Sequence, residues 1–262
     1  MKLSHDLRSI FAKHLVIAAL LGIANTAAAN SLPELINKAG LQRMLTQRIV
    51  KSYAQLVMHI DPDTSRTQLN DAVSLFDRHL AELEREAPNE KVRTGLADVR
   101  RLWGPFKAVA SGKINRDGMK LLSDTDDALL ARAQEVVVRL QDTAGTSQAH
   151  LVNVAGRERM LSQRIAKFYM LLSAGLKGTE LREQMQRARY EFEGALADLR
   201  SAPEDTPDIR RGLAEVDRQW TVFRTSFQLD EGQYIPLLVA RAAEKILTQM
   251  DQVTVMYARL GS

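Results

Sequence analysis

Residues 37–53 read NKAGLQRMLTQRIVKSY, and residues 153–169 read NVAGRERMLSQRIAKFY. The two segments are identical at 11 of 17 positions and lie 116 residues apart. In both, apolar residues recur three and four positions apart, which is the spacing of a helix with one buried face. A repeated helix of this kind predicts a helical protein built from two copies of one unit.

The repeat extends beyond these segments over most of the chain. After a one-residue insertion the offset becomes 117, so that Trp103 and Phe106 recur as Trp220 and Phe223. In each pair the two aromatic residues lie about one helical turn apart, which predicts that they anchor a core. We therefore expect two units of about 115 residues, covering 30–145 and 146–262.

The composition favours an all-α protein and excludes several classes. A chain with 45% apolar and 26% charged residues is globular rather than disordered. Only 14 glycines, 7 prolines and 5% aromatic residues are present, whereas strand-rich folds need many turns and many aromatic and β-branched residues. The absence of cysteine excludes disulfide scaffolds, thiolate metal sites and cysteine nucleophiles.

Breaker residues divide each unit into four helical stretches. We expect helices at 32–60, 64–86, 90–111 and 115–141, and then at 150–176, 180–200, 207–227 and 234–260. Short connections between long helices predict two tandem antiparallel four-helix bundles. Residues 143–147 form the expected boundary, although a glycine and β-branched residues weaken a helix without forbidding one. A continuous helix across this boundary is the alternative.

The N-terminus has the pattern of an export signal. Three basic residues accompany an apolar stretch at 14–23, and residues 27–29 are three alanines suited to an export peptidase. We expect residues 1–29 to be a signal peptide cleaved after Ala29, which places the mature protein in the periplasm. The alternative, an uncleaved anchor, needs about 20 apolar residues. The mature chain would hold 33 basic and 31 acidic residues, which argues against nucleic-acid binding.

The motif helix has two distinct faces at 100° per residue. One face is expected to face the bundle core, and it carries Leu41, Leu45, Ile49, Ser52 and Leu56. The opposite face has the spacing of a helix–helix interface, and it carries Ile36, Gly40, Arg43, Gln47 and Val50. Glycine in a helix costs about 1 kcal/mol relative to alanine, so Gly40 indicates a close backbone approach. The second copy repeats this face with Gly156, Arg159 and Gln163.

The pattern Asn-x-Ala-Gly-x-x-Arg-Met-x-x-x-Arg resembles the motif of the periplasmic sensor domains in NarX- and NarQ-type nitrate/nitrite sensor kinases and in PilJ-type chemotaxis transducers of type IV pili. In that family the domain is a helical bundle. A dimer places two motif helices side by side, so that paired arginines and backbone near the glycine hold one nitrate. The resemblance implies a similar ligand set here, consisting of Lys38, Gly40, Arg43, Gly156 and Arg159.

The sequence departs from those receptors in two ways. We expect no membrane-spanning exit helix, kinase or methyl-accepting region in it, so that any signal would pass by contact with a membrane receptor or transducer. The second copy has Val154 in place of Lys38 and Arg157 in place of Leu41, so a shared site would be asymmetric. The two motif helices could meet within one chain or in a homodimer.

Other residues of the motif have structural interpretations. Arg43 and Arg159 could pair with bundle carboxylates instead of a ligand. Arg48 and Arg164 lie nearer the core face, where we expect ion-paired or snorkelling arginines. Met44 and Met160 are expected to pack rather than to bind metal. His59 beside two aspartates is expected at a helix end, and no metal site or cofactor is predicted.

No catalytic motif is present, so we do not expect an enzyme. Two hypotheses remain. The first is a periplasmic sensory module that recognises a small oxyanion, nitrate- or nitrite-like, through the paired arginines. The alternative is a structural helical adaptor that docks a membrane receptor or envelope assembly and binds no small molecule.

Overall fold

The computed structural model describes residues 30–228 and 234–260, and the predicted signal peptide lies outside these residues. The described residues form eight α-helices and no strand, which confirms the all-α prediction. The helices are α1 (Leu32–Val57), α2 (Pro62–Glu86), α3 (Glu90–Ala110), α4 (Arg116–Ala144), α5 (Ser147–Ser173), α6 (Thr179–Arg200), α7 (Pro207–Thr225) and α8 (Pro236–Ala258). A 3₁₀ turn, Ser226–Gln228, follows α7.

Local sequence explains most helix boundaries. The side chains of Asn89, Asn115, Thr146 and Thr206 cap α3, α4, α5 and α7 by accepting hydrogen bonds from free backbone N–H groups. Gly145 adopts a left-handed conformation with φ 60° and ends α4. The continuous helix considered for residues 143–147 is therefore wrong. His59, with φ 56°, lies just after α1, as expected for a helix end.

The helices form two antiparallel four-helix bundles joined along one seam. In the first bundle α1 packs against α2 and α4, and α3 packs against α4 and α2. The same pattern recurs in the second bundle with α5, α6, α7 and α8. The most extensive contact in the molecule is between α1 and α5, the two motif helices. We call this contact the seam.

Because α1 contacts α2, α4 and α5, it is buried on nearly every side. Both faces predicted from its sequence are buried, with the exception of Leu41, which remains partly exposed. Met44 and Met160 lie in the apolar core, as expected. The predicted aromatic anchors are also confirmed. Trp103 stacks on Phe76 at 3.9 Å between ring centroids, and Trp220 lies 4.4 Å from Phe192.

Ion pairs flank the seam and connect the two bundles. Each motif helix reaches the last helix of the other bundle, through the pairs Arg48–Glu244, Lys51–Glu244, Lys167–Asp126 and Arg164–Asp127. The Lys167–Asp126 pair, 2.6 Å long, is almost wholly buried. Arg48 and Arg164 are thus ion-paired, as the sequence predicted. No helix in the described part of the chain combines the length and apolar character that a bilayer span requires.

Candidate functional site

The backbones of α1 and α5 lie close together at the two motif glycines. A Cβ atom built on Gly40 would lie 3.9 Å from the Cα atom of Gly156, and the reverse distance is 4.0 Å. A Cβ atom built on Gly156 would lie 3.2 Å from Nη2 of Arg43 and 3.2 Å from Nη2 of Arg159. The glycines therefore do two things, since they let the helices approach and they leave space for two guanidinium groups.

Arg43 and Arg159 are fully buried and face each other across the seam. Nη2 of each arginine lies 3.2 Å from the Cβ position built on Gly156, so the distance between the two Nη2 atoms is at most twice that value. The prediction that these arginines approach each other is confirmed, and the two motif helices meet within one chain. Two like charges thus lie close together where little water can screen them.

Each arginine crosses the seam to the first residue of the opposite motif. Nη2 of Arg43 donates a hydrogen bond to the carbonyl oxygen of Asn153 at 3.2 Å, and Nη2 of Arg159 donates to the carbonyl oxygen of Asn37 at 3.3 Å. These reciprocal contacts indicate that the two units are related by an approximate local twofold axis. The motif asparagines were not among the site residues predicted from the sequence. Their identity in both copies was the signal that could have identified them.

The partners of the Nη1 atoms break this symmetry. Arg43 donates to Oε1 of Gln134 on α4 at 2.5 Å, whereas Arg159 donates to Oδ1 of Asp251 on α8 at 2.5 Å. Gln134 and Asp251 are 117 residues apart and therefore occupy equivalent positions in the two units. One arginine has a carboxylate partner, and the other has a neutral amide. Neither Gln134 nor Asp251 was predicted from the sequence as a partner of these arginines.

The electrostatics of the seam follow from this difference. Burial and, to a smaller extent, the positive charges of Arg159 and Arg157 lower the pKa of Arg43 to about 9. Burial also lowers the pKa of Arg159, but there Asp251 opposes the effect. The Nε atoms of both arginines have no hydrogen-bond partner. A guanidinium stays protonated at neutral pH, so the seam holds two cations, of which Arg159 has a carboxylate partner.

Lys38 does not join this cluster. It forms an ion pair with Glu82 of α2 at 2.7 Å. Lys38 lies five residues before Arg43, which turns its side chain by about 140° away from the seam face of the helix. Of the five residues implied by the resemblance, the structure brings together Gly40, Arg43, Gly156 and Arg159 and leaves Lys38 on another face.

An open groove of about 530 Å³ leads from the surface towards Gln134, the partner of Arg43. The groove lies between α4, α5 and α6, and its charged lining residues are Asp127, Arg157, Arg164, Arg187 and Glu191. On the other side of the seam, the side chain of Asp251 is 49% exposed. The arginine pair is therefore buried, while the partners of both arginines are in contact with solvent.

Comparison with known proteins identifies the family. The family model described as "Type IV pili methyl-accepting chemotaxis transducer N-term", PilJ, matches residues 24–136 and 143–256. Searches of curated proteins and of solved structures found no match. The matched family is a non-catalytic sensory one that is associated with membrane chemotaxis transducers. With both of its units matched in tandem, the chain belongs to the PilJ family.

Proposed function

We propose that this protein is a periplasmic sensory module that binds one small oxyanion, nitrate- or nitrite-like, between Arg43 and Arg159. The observation that carries the proposal is the arrangement of two buried guanidinium groups within 3.2 Å of one position beside a glycine. Only one carboxylate, Asp251, pairs with them among the described residues. An anion there would replace a repulsion by two charge-assisted interactions.

The proposed ligands are the Nη2 groups of both arginines, which lie side by side next to Gly40 and Gly156. Lys38 is not included, because its ammonium group is paired with Glu82. A planar guanidinium matches the geometry of an oxyanion better than an ammonium does. Binding would draw α1 and α5 together at the seam. The signal would then reach a membrane transducer through a change in the relation between the two bundles.

Export supports the same proposal. Domains of this family are typically periplasmic sensors, and residues 1–29 have the pattern of a cleaved signal peptide. N-terminal sequencing of the protein from its native host should find Asn30 as the first residue. An intact Met1 in a cytoplasmic fraction would contradict periplasmic sensing.

The second candidate function is a structural adaptor without a small ligand. Its support is the Arg159–Asp251 pair, together with the asparagine carbonyls that accept hydrogen bonds from both arginines. In that case the seam would be complete as it stands. The protein would then act only by docking a membrane receptor or an envelope assembly.

Thermal unfolding with added anions separates the two candidates. At constant ionic strength, sodium nitrate or nitrite should stabilise the protein by about 2.7 kcal/mol when its concentration is a hundred times the dissociation constant. Arg43→Gln should abolish this response. Arg48→Gln is the matched control, since Arg48 lies on the same helix and pairs with Glu244 instead. If the parent protein responds to no anion, the adaptor is the better description.

A further inference from the structure

The two arginines of the seam have unequal counter-charges, and this limits which anions the site can accept. We propose that Asp251 is the specificity-determining residue of the site, because its carboxylate leaves the arginine pair with a single net positive charge and thereby selects monovalent over divalent anions. This inference rests on the proposed function. It adds the charge class of the ligand and the residue that sets it.

The contacts of Asp251 place its charge inside the site. Its Oδ1 atom accepts a hydrogen bond from Nη1 of Arg159 at 2.5 Å, while Nη2 of the same guanidinium faces the seam. The carboxylate is thus one guanidinium away from the proposed anion. At such a short separation the carboxylate repels negative charge on the bound anion strongly, since the intervening groups are buried.

Arg43 has no comparable partner. Its Nη1 atom donates to Oε1 of Gln134 and to Oδ1 of Asn153, which are neutral amides. No carboxylate of the described residues forms an ion pair with Arg43. The positive charge that remains therefore belongs to Arg43, and one monovalent anion would neutralise it.

A dianion carries more negative charge than the arginine pair and Asp251 together can neutralise. Sulfate would bring two negative charges to a cluster with one net positive charge, and it would lie close to the Asp251 carboxylate. Repulsion between like charges at this range weakens binding unless the carboxylate is removed. The site should therefore accept nitrate and nitrite and exclude sulfate.

Two substitutions at equivalent positions of the repeat test the proposal. Asp251→Asn removes the carboxylate and copies the neutral partner of Arg43, so that the fully buried Arg159 keeps an amide oxygen as its partner but loses its counter-ion. Gln134→Glu adds a second carboxylate against Arg43. The control is Gln252→Glu, which adds the same charge to an exposed position next to Asp251.

The measurement is isothermal titration calorimetry with sodium nitrate and with sodium sulfate at constant ionic strength. The parent should bind nitrate and not sulfate. Asp251→Asn should bind nitrate at least about tenfold more tightly, a change that corresponds to ~1.4 kcal/mol, and should acquire sulfate binding. Gln134→Glu should weaken nitrate binding by at least about tenfold, and Gln252→Glu should leave it unchanged.

The outcomes separate this inference from the proposed function. If the parent binds nitrate but neither substitution changes its affinity, Asp251 does not set specificity and only the inference is overturned. If the parent already binds sulfate as well as nitrate, the charge argument is wrong. If neither the parent nor any variant binds an anion, the proposed function fails and the inference fails with it. Should Asp251→Asn not fold, Gln134→Glu alone still decides, since unchanged nitrate binding would overturn the inference.

Discussion

At the scale of single residues, the seam concentrates positive charge that is only partly balanced. Two unit charges about 6 Å apart repel each other by roughly 3 kcal/mol at an effective dielectric constant of 20. Arg159 has Asp251 as a direct counter-ion, whereas Arg43 is held by amide and carbonyl oxygens. The two arginines occupy equivalent positions but should therefore differ in what they contribute to stability.

The ligand-free protein should tolerate Arg43→Gln. The substitution removes the less balanced of two repelling charges, so we expect a free energy of unfolding within about 1 kcal/mol of the parent value, or above it. Arg159→Gln frees Asp251, whose side chain is 49% exposed and can be hydrated, so its cost should also stay near 1 kcal/mol or below. Urea denaturation at pH 7 measures both. A loss of about 3–5 kcal/mol for Arg43→Gln would instead indicate a broken buried ion pair.

Glu158 is a buried acid whose carboxyl oxygens have no hydrogen-bond partner. It is fully buried on α5. Burial raises the pKa of Glu158 well above its ordinary value, with Arg157 opposing this effect and Glu191 adding to it. The equivalent residue of the first unit is Gln42, whose Nε2 atom donates to the carbonyl oxygen of Phe76 at 3.0 Å. The first unit has thus an amide where the second has an acid.

Glu158→Gln should stabilise the protein at pH 8 by about 1–3 kcal/mol, because an amide at this buried position cannot ionise and so avoids the cost of burying a charge. The raised pKa means that the folded protein keeps a proton that the unfolded chain releases, so the parent loses stability as the pH rises above about 4.3. The advantage of the variant should therefore vanish near pH 4. Urea denaturation at pH 4, 6 and 8 measures this dependence. The mirror variant Gln42→Glu should show the opposite shift, and a Glu158→Gln protein less stable than the parent at pH 8 would refute the argument.

At the scale of helices, the glycines of α1 and α5 are determined by packing rather than by helix propensity. Glycine in a helix interior is normally a weakness that alanine repairs. At Gly156, however, an added Cβ would lie 3.2 Å from the ends of both arginines, which is closer than ordinary van der Waals contact. Glycine is present despite its low helix propensity because a Cβ atom would crowd the two guanidinium groups at the seam.

Gly156→Ala should therefore fail to stabilise the protein and should abolish its response to nitrate. The matched control is Gly194→Ala in α6, where an added Cβ meets nothing within 4 Å. That control should increase the free energy of unfolding by about 0.5–1 kcal/mol and keep the nitrate response. Thermal unfolding of both variants, with and without sodium nitrate, makes the comparison. Equal stabilisation by the two substitutions would show that the seam is looser than the contacts indicate.

At the scale of the whole molecule, the two bundles share their most important surfaces. The seam between α1 and α5 is the most extensive contact between any two helices, and the buried Lys167–Asp126 pair joins α5 to α4. Each motif helix thus completes the core of its own bundle and the interface with the other. Neither bundle should retain its stability when the other unfolds.

We expect a single cooperative unfolding transition for both units. The chain has two tryptophans, Trp103 in the first unit and Trp220 in the second, so each can report on one unit. In Trp220→Phe the fluorescence follows the first unit, and in Trp103→Phe it follows the second. In each variant the fluorescence midpoint in urea should coincide with the midpoint from circular dichroism. Separate midpoints within one variant would show that the units unfold independently.

The sequence by itself determined the repeat, the all-α class, the helix boundaries to within a few residues and the face of each motif helix that carries its glycine and its arginine. These features depend on local spacing, since the helical period alone places Gly40 and Arg43 on one face and Gly156 and Arg159 on another. The alignment of the two copies also predicted the paired tryptophans. Local rules were sufficient wherever the interacting groups lie on one helix.

Only the tertiary structure decided which groups complete the site. Gln134 and Asp251 lie 91 and 92 residues from the arginines they contact, so their roles depend on how α4 and α8 align with the motif helices. The same packing put Glu158 in a core, paired Lys38 with Glu82 and buried α1 on nearly every side. Contacts between distant helices are fixed by their packing register, and helical periodicity carries no information about that register.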